Sequence, residues 1–256
     1  MFEKLVCAVF ILTMCVRADE PTLNLIATGI EEFSAAYRAW DSDRFGKSAE
    51  TFRRASVADP KSAVALYWRG TALFHQMLQL NNPPDGKPNA KAAAAASEGA
   101  TQAFESALAL DSDHAESHAL LGTLYGMKIK GGIVAAIRYG PQVQDHQKQA
   151  LKWGATNPRV RYLLGTGQLH TAKDAAGQRE ALNTLLAAEK LFSHESKRAP
   201  RPLAPRWGFS SCLAFIGKTY EAMGKREEAL SYYRKALAMH PADHGAEDGI
   251  KRLAAK

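Results

Sequence analysis

The sequence predicts an all-α protein built from repeated helix–turn–helix units, and three observations carry that expectation. Alanine-rich runs such as "KAAAAASEGA" at Lys91–Ala100 favour helix intrinsically. Few stretches alternate β-branched and polar residues as a half-buried strand would. A Gly-Thr pair behind large residues returns three times, at Gly70–Thr71, Gly122–Thr123 and Gly165–Thr166. A chain of 256 residues, 46% of them hydrophobic, can bury a sizeable core. Its 9% aromatic and 23% charged residues exclude wholesale disorder.

Residues 1–18 read as a signal peptide rather than as part of the fold. A short start containing Lys4 precedes the apolar run Leu5–Val16, which is too short to span a bilayer comfortably. Val16 and Ala18 are the small residues before a cut between Ala18 and Asp19. Export, with the bacterial periplasm as destination, is the expectation. A retained membrane anchor or a lipid on Cys15 are the alternatives, although Met14 stands where lipoprotein signals take Gly, Ala or Ser. Cleavage removes Cys7 and Cys15 and leaves Cys212, so no internal disulfide can form and packing must supply the stability. Cys212 in "SSCLAFIGKTY" reads as a buried, inert thiol.

Residues 19–28 form a short N-terminal segment, and the units follow. The first pairs "GIEEFSAAYRAW", with Ala36 at the packing position, with a helix carrying Ser48, Phe52 and Ala55 and ending at Pro60. The second opens on Gly70 and Leu73 and closes on Ala100, Phe104 and Ala107. The third opens on Leu121, Gly122 and Tyr125, with Ala150 in its second helix. The fourth opens on Leu164 and Gly165, followed by Ala181, Leu185 and Ala188. The fifth, Ser210–Asp243, is written most clearly. Gly217, Tyr220, Ala229, Tyr233, Ala236 and Pro241 fall at fixed intervals, the small residues letting two helices approach and Pro241 stopping the second.

Those six positions in register resemble the tetratricopeptide repeat, a helix–turn–helix unit of about 34 residues. The resemblance covers residues 29–243, with repeats starting near 29, 63, 115, 158 and 210. It implies a right-handed superhelical solenoid of about five repeats, with 244–256 as a capping helix. Repeats three and four depart from the pattern, since Val143 and Gln147 replace the usual Ala and aromatic, and Gln168 replaces Tyr. Relative to the repeat period, about 18 extra residues enter repeat two, about 9 repeat three, about 4 repeat four, and about 14 precede repeat five. Such insertions are expected as loops, notably 81–89 and 130–142.

No catalytic constellation emerges. His114 and His118 lie four apart, but Glu116 is not placed as in a zinc-protease motif and no third ligand follows; His240 and His244 straddle a helix stop. "KGG" at 130–132 lacks phosphate-loop spacing. "PRWG" at Pro205–Gly208 reads as a helix start with Trp207 filling a gap, or as a ligand platform. The expectation is therefore a non-enzymatic chain with no catalytic residue, no metal and no cofactor.

In the tetratricopeptide family the first helices line a concave groove, and the residue after the packing Gly points into it. The resemblance thus implies Thr71, Thr123, Thr166 and Lys218 as a floor, with Phe33, Tyr37, Tyr67, Tyr162 and Arg159 as walls. A Thr that merely fits a crowded helix surface is the competing reading. The family's Lys/Asn arrangement for a peptide carboxylate is missing. The function implied is a protein-interaction scaffold or adaptor of the cell envelope, taking a partner protein or peptide. The alternative is a small-molecule-binding accessory of a solute transport system. A net charge of +7 suits an acidic partner or surface; export argues against nucleic acid, and membrane contact is expected only through the N-terminal segment.

Overall fold

The computed structural model describes residues 20–129 and 132–255, so the expected signal peptide lies outside the described residues. Eleven helices and no strand occur among those residues. In chain order they are α1 (Glu20–Ala39), α2 (Ser42–Ala58), α3 (Ala63–Asn81), α4 (Ala90–Leu110), α5 (Ala115–Ile129), α6 (Ile133–Gly154), α7 (Pro158–Thr171), α8 (Ala175–Ser196), α9 (Phe209–Ala222), α10 (Arg226–Met239) and α11 (His244–Ala254). Consecutive helices pair as hairpins, α1 with α2 through α9 with α10, and α11 caps the last. The result is the right-handed tetratricopeptide-type solenoid.

Local chemistry fixes where the helices begin. The side chains of Asp41, Ser62, Asn89, Asn157, Asp174 and Asp243 each accept a hydrogen bond from a backbone N–H of the first turn that follows. Pro158 sits at the opening of α7, where its missing N–H costs nothing. Inside the hairpins, close approach replaces side-chain volume. A Cβ on Gly70 would lie 2.7 Å from the Phe104 ring, and one on Gly217 2.8 Å from the Tyr233 ring.

Three differences from the sequence reading concern the scaffold. Residues 20–28 are not a separate segment but the first turns of α1, with Thr22 and Ile26 buried. In the first hairpin the close approach to Phe52 comes at Gly29, two turns before Ala36, because Gly29 is the α1 position where the Phe52 ring leaves no room for a Cβ. The extra residues of repeats two and three go largely into helix. Residues 133–142, expected as a loop, form the first half of α6, which continues through Pro141. Ala135, Ala136, Arg138 and Gln142 are good helix formers and offset part of the cost of that proline.

Candidate partner-binding cleft

The segment between α8 and α9 decides which inner surface is free. Residues 197–208 turn back across the inner helices instead of looping outward. Trp68 Nε1 on α3 donates to the Leu203 carbonyl at 3.0 Å, and Trp207 Nε1 donates to the Tyr67 hydroxyl at 3.2 Å. Trp207 is buried, with its ring 5.0 Å from His75. The chain's own insertion therefore fills the inner surface along repeats two to four.

Beneath that segment lies a buried polar network. The Tyr67 hydroxyl donates to Glu116 on α5, and Arg159 Nε on α7 donates to the same carboxylate at 2.9 Å. Asn157 adds a third donor to Glu116 at 2.7 Å. The other guanidinium nitrogens of Arg159 reach Glu195 on α8 and, at 3.2 Å, the Trp207 carbonyl. Burial alone would raise the Glu116 carboxyl, but the Arg159 charge and three hydrogen bonds outweigh it and hold the group below its usual range. Burial also works against the Arg159 charge, yet Glu116 and Glu195 keep its guanidinium above its ordinary value. Four helices and the inserted segment are thus tied together through one arginine.

The sequence-predicted groove residues divide accordingly. Phe33, Tyr67, Thr71 and Arg159 are core residues with no path to a partner, because the aromatic interior and the inserted segment enclose them. Phe33 packs edge-on against Trp68 and His75. The repeated Thr is a packing device. Thr71 and Thr123 donate to the carbonyls four residues earlier, at 2.9 and 2.8 Å, and Thr166 to that of Leu163 at 2.8 Å. Each hydroxyl is satisfied by its own helix and can be buried at little cost. Thr71 and Thr166 are buried, while Thr123 borders only a gap of about 20 Å³ between α5, α6 and α7. These six do not share one concave space.

Tyr37, Tyr162 and Lys218 do come together, in company that no sequence pattern singled out. They line a cleft of about 1220 Å³ where the first hairpin meets the last. Its aromatic surfaces are Tyr37, Trp40, Tyr162, Phe215 and Tyr233, with the Tyr162 and Phe215 ring centroids 5.9 Å apart. The loop Asn82–Pro88, the end of α3 and the cap α11 complete the rim. Trp40 turns its ring inward from a left-handed backbone position (φ 50°) at the α1–α2 turn, a placement that periodicity does not reveal. Lys251 pairs with Glu247 and Arg252 with Glu221 at the rim. Lys218 forms no ion pair among the described residues, and its Nζ lies 5.4 Å from the Phe215 ring centre. Partial burial and the Arg252 charge lower its ammonium below the usual value.

The histidines do other work. One of the facing Nδ1 atoms of His118 and His146, 2.8 Å apart, donates to the other, linking α5 to α6. No cluster of metal-ligating side chains occurs among the described residues. Cys212 is buried, and burial pushes its thiol up, as expected of an inert one.

Comparison with known proteins bears on the whole chain. The model of the family described as regulator of microtubule dynamics protein 1-3 matches residues 33–256. The chain belongs to this family. No curated protein matches this regulator-family chain in sequence. Among solved structures it is similar to a thermophilic tetratricopeptide protein of Thermus thermophilus, at 18% identity, TM-score 0.61, and 91% and 97% of the two chains covered. It is also similar to a chain of the APC/C hetero-tetramer Cut9–Hcn1, at 13% identity and TM-score 0.59, covering 92% of this chain and 40% of that one. At these identities the regulator-family chain shares the tetratricopeptide fold with both.

Proposed function

We propose that the chain is a non-enzymatic interaction scaffold whose cleft between the first and last hairpins takes an extended segment of a partner protein. The observation that carries this reading is the cleft's lining: five aromatic rings beside the unpaired Lys218. Such a surface takes an apolar anchor side chain against the exposed faces of these rings, with a carboxylate toward Lys218. The family's description as regulators of microtubule dynamics agrees with action through other proteins, and makes microtubules the first partner to assay. Export, which rests on residues 1–18 alone, is a separate proposal: an exported chain meets its partner away from microtubules, so cleavage after Ala18 and a microtubule partner exclude each other.

The test compares wild type with Ala214→Arg, which puts a long charged side chain into the cleft, and with Lys218→Glu. Co-pelleting with microtubules and affinity capture are read side by side. A protein bound by wild type and lost from both variants supports the proposal. Capture that is indifferent to both substitutions overturns it. The volume of the cleft also favours a second reading, an apolar or acidic small molecule; native mass spectrometry showing a stoichiometric bound compound would select that one.

A further inference from the structure

α6 buries the smallest share of its residues among the eleven helices. Of its 22 residues only Ala150 and Gly154 are buried, and it packs along α5 while making only a thin contact with α7. Its first two turns nevertheless carry large aliphatic side chains facing water. Ile133, Val134 and Ile137 are 79%, 80% and 73% exposed, and Met127 at the end of α5 is 39% exposed. At the helical repeat, positions 133, 134 and 137 fall within about 100° of arc, so they form one face. Four of the ten exposed large hydrophobic residues among the described residues thus lie between positions 127 and 137. Solitary exposed aliphatics are ordinary; a cluster on one helix end calls for an occupant.

Charge identifies the occupant. No Asp or Glu occurs from Ser117 to Gln144, while Lys128 and Arg138 flank the aliphatic face. Lys128 Nζ lies 5.2 Å from the Tyr125 ring centre and 5.6 Å from that of Tyr139, and the Arg138 guanidinium lies 5.3 Å from Tyr139. Neither cation forms an ion pair among the described residues. The nearby carboxylate Glu105 accepts from the Tyr125 hydroxyl at 2.8 Å, and Asp145 follows two turns along α6. A stable protein interface needs roughly 800 Å² from each partner, far more than four side chains at a helix end offer. A bilayer has no such minimum. It takes a few aliphatic side chains at the headgroup boundary, and its anionic lipids attract the flanking cations.

We infer that the α5–α6 end of the molecule docks on an anionic membrane surface, inserting Ile133, Val134 and Ile137 between headgroups that Lys128 and Arg138 attract. No helix among the described residues is long and apolar enough to cross a membrane, so the contact is interfacial. It is separate from the N-terminal segment through which the sequence led us to expect membrane contact. None of the five residues lines the cleft, so this contact stands or falls independently of the proposed scaffold role.

The full chain is mixed with sucrose-loaded vesicles of two parts phosphatidylcholine to one part phosphatidylserine, or of phosphatidylcholine alone, and sedimented. Wild type should partition onto the anionic vesicles. The triple variant Ile133→Ser/Val134→Ser/Ile137→Ser should lose at least about tenfold in partitioning, and Lys128→Gln/Arg138→Gln about tenfold. All five positions are on the surface, and circular dichroism melts should show both variants folded. Equal partitioning onto neutral vesicles would overturn the inference, as would a triple variant that binds like wild type, because another segment would then be responsible. A wild-type dimer that the triple variant dissociates would overturn it too, showing that a second copy covers the face.

Discussion

Tyr37 and Ser211 stand 174 positions apart in the chain, and their hydroxyl oxygens meet at 2.8 Å. The contact joins α1 to α9, and His240 Nε2 donates to the Tyr37 carbonyl beside it at 2.6 Å. Removing the hydroxyl in Tyr37→Phe should cost about 1 kcal/mol by urea denaturation, because Ser211 loses a partner while the ring stays. A loss below a few tenths of a kcal/mol would show that the two ends are held by apolar packing alone.

Arg159→Met should be among the most damaging single substitutions. It leaves Glu116 buried and uncompensated, a situation that costs about 3–5 kcal/mol. Adding Glu116→Gln should recover part of that loss, since the amide still accepts from Tyr67 and needs no counter-charge. A double variant no more stable than Arg159→Met would mean that the guanidinium acts through packing rather than charge.

Much of the fold was legible in the sequence, and the reason is local. The five hairpins follow from small and aromatic residues whose register each hairpin settles internally, as with Gly217 against Tyr233. The groove was not legible, because Tyr67, Glu116, Arg159 and Glu195 lie on four different helices and meet only after stacking. The segment that covers them, 197–208, has a loop's composition, and only Trp207 signalled that it is buried. The tetratricopeptide resemblance put Tyr37, Tyr162 and Lys218 on the inner helices, and these three line the cleft. Trp40 and the 82–88 loop depend on turn geometry that spacing does not encode.

Two glycine substitutions should move stability in opposite directions. Gly70→Ala forces a methyl group against the Phe104 ring and should cost about 1–3 kcal/mol, partly recovered by Phe104→Leu. Gly126→Ala meets open space on α5 and should stabilise by about 0.5–1 kcal/mol through helix propensity. Chemical denaturation of the three variants checks both signs.

Stability should fall on acidification from neutral pH toward pH 4. His75 is enclosed by the rings of Phe33, Tyr37, Phe45, Phe74 and Trp207, and burial lowers its pKa from 6.5 to about 4. The unfolded chain then binds a proton the native state refuses, so stability is lost as the pH drops below 6.5. The loss amounts to on the order of 3 kcal/mol once pH 4 is reached. Burial lowers His114, His146 and His170 as well, adding in the same direction, whereas Asp243, whose carboxyl burial raises, opposes it. His75→Leu should flatten the dependence between pH 6.5 and 4. An unchanged slope would assign it to the other histidines.

Protein purified from its native host should begin at Asp19 by intact-mass measurement. Retention of Met1, or a lipid on Cys15, would count against cleavage after Ala18.

The meeting of the first hairpin with the last changes what kind of object this solenoid is. In an open stack of repeats a disturbance passes from neighbour to neighbour and fades with distance. Here α1 and α9 touch directly, so the chain's two ends are a single step apart. Whatever occupies the cleft rests on both at once. Its binding energy is then conjugate to the closing of the ring, and any event that opens the ring elsewhere must weaken that occupant by the same free energy.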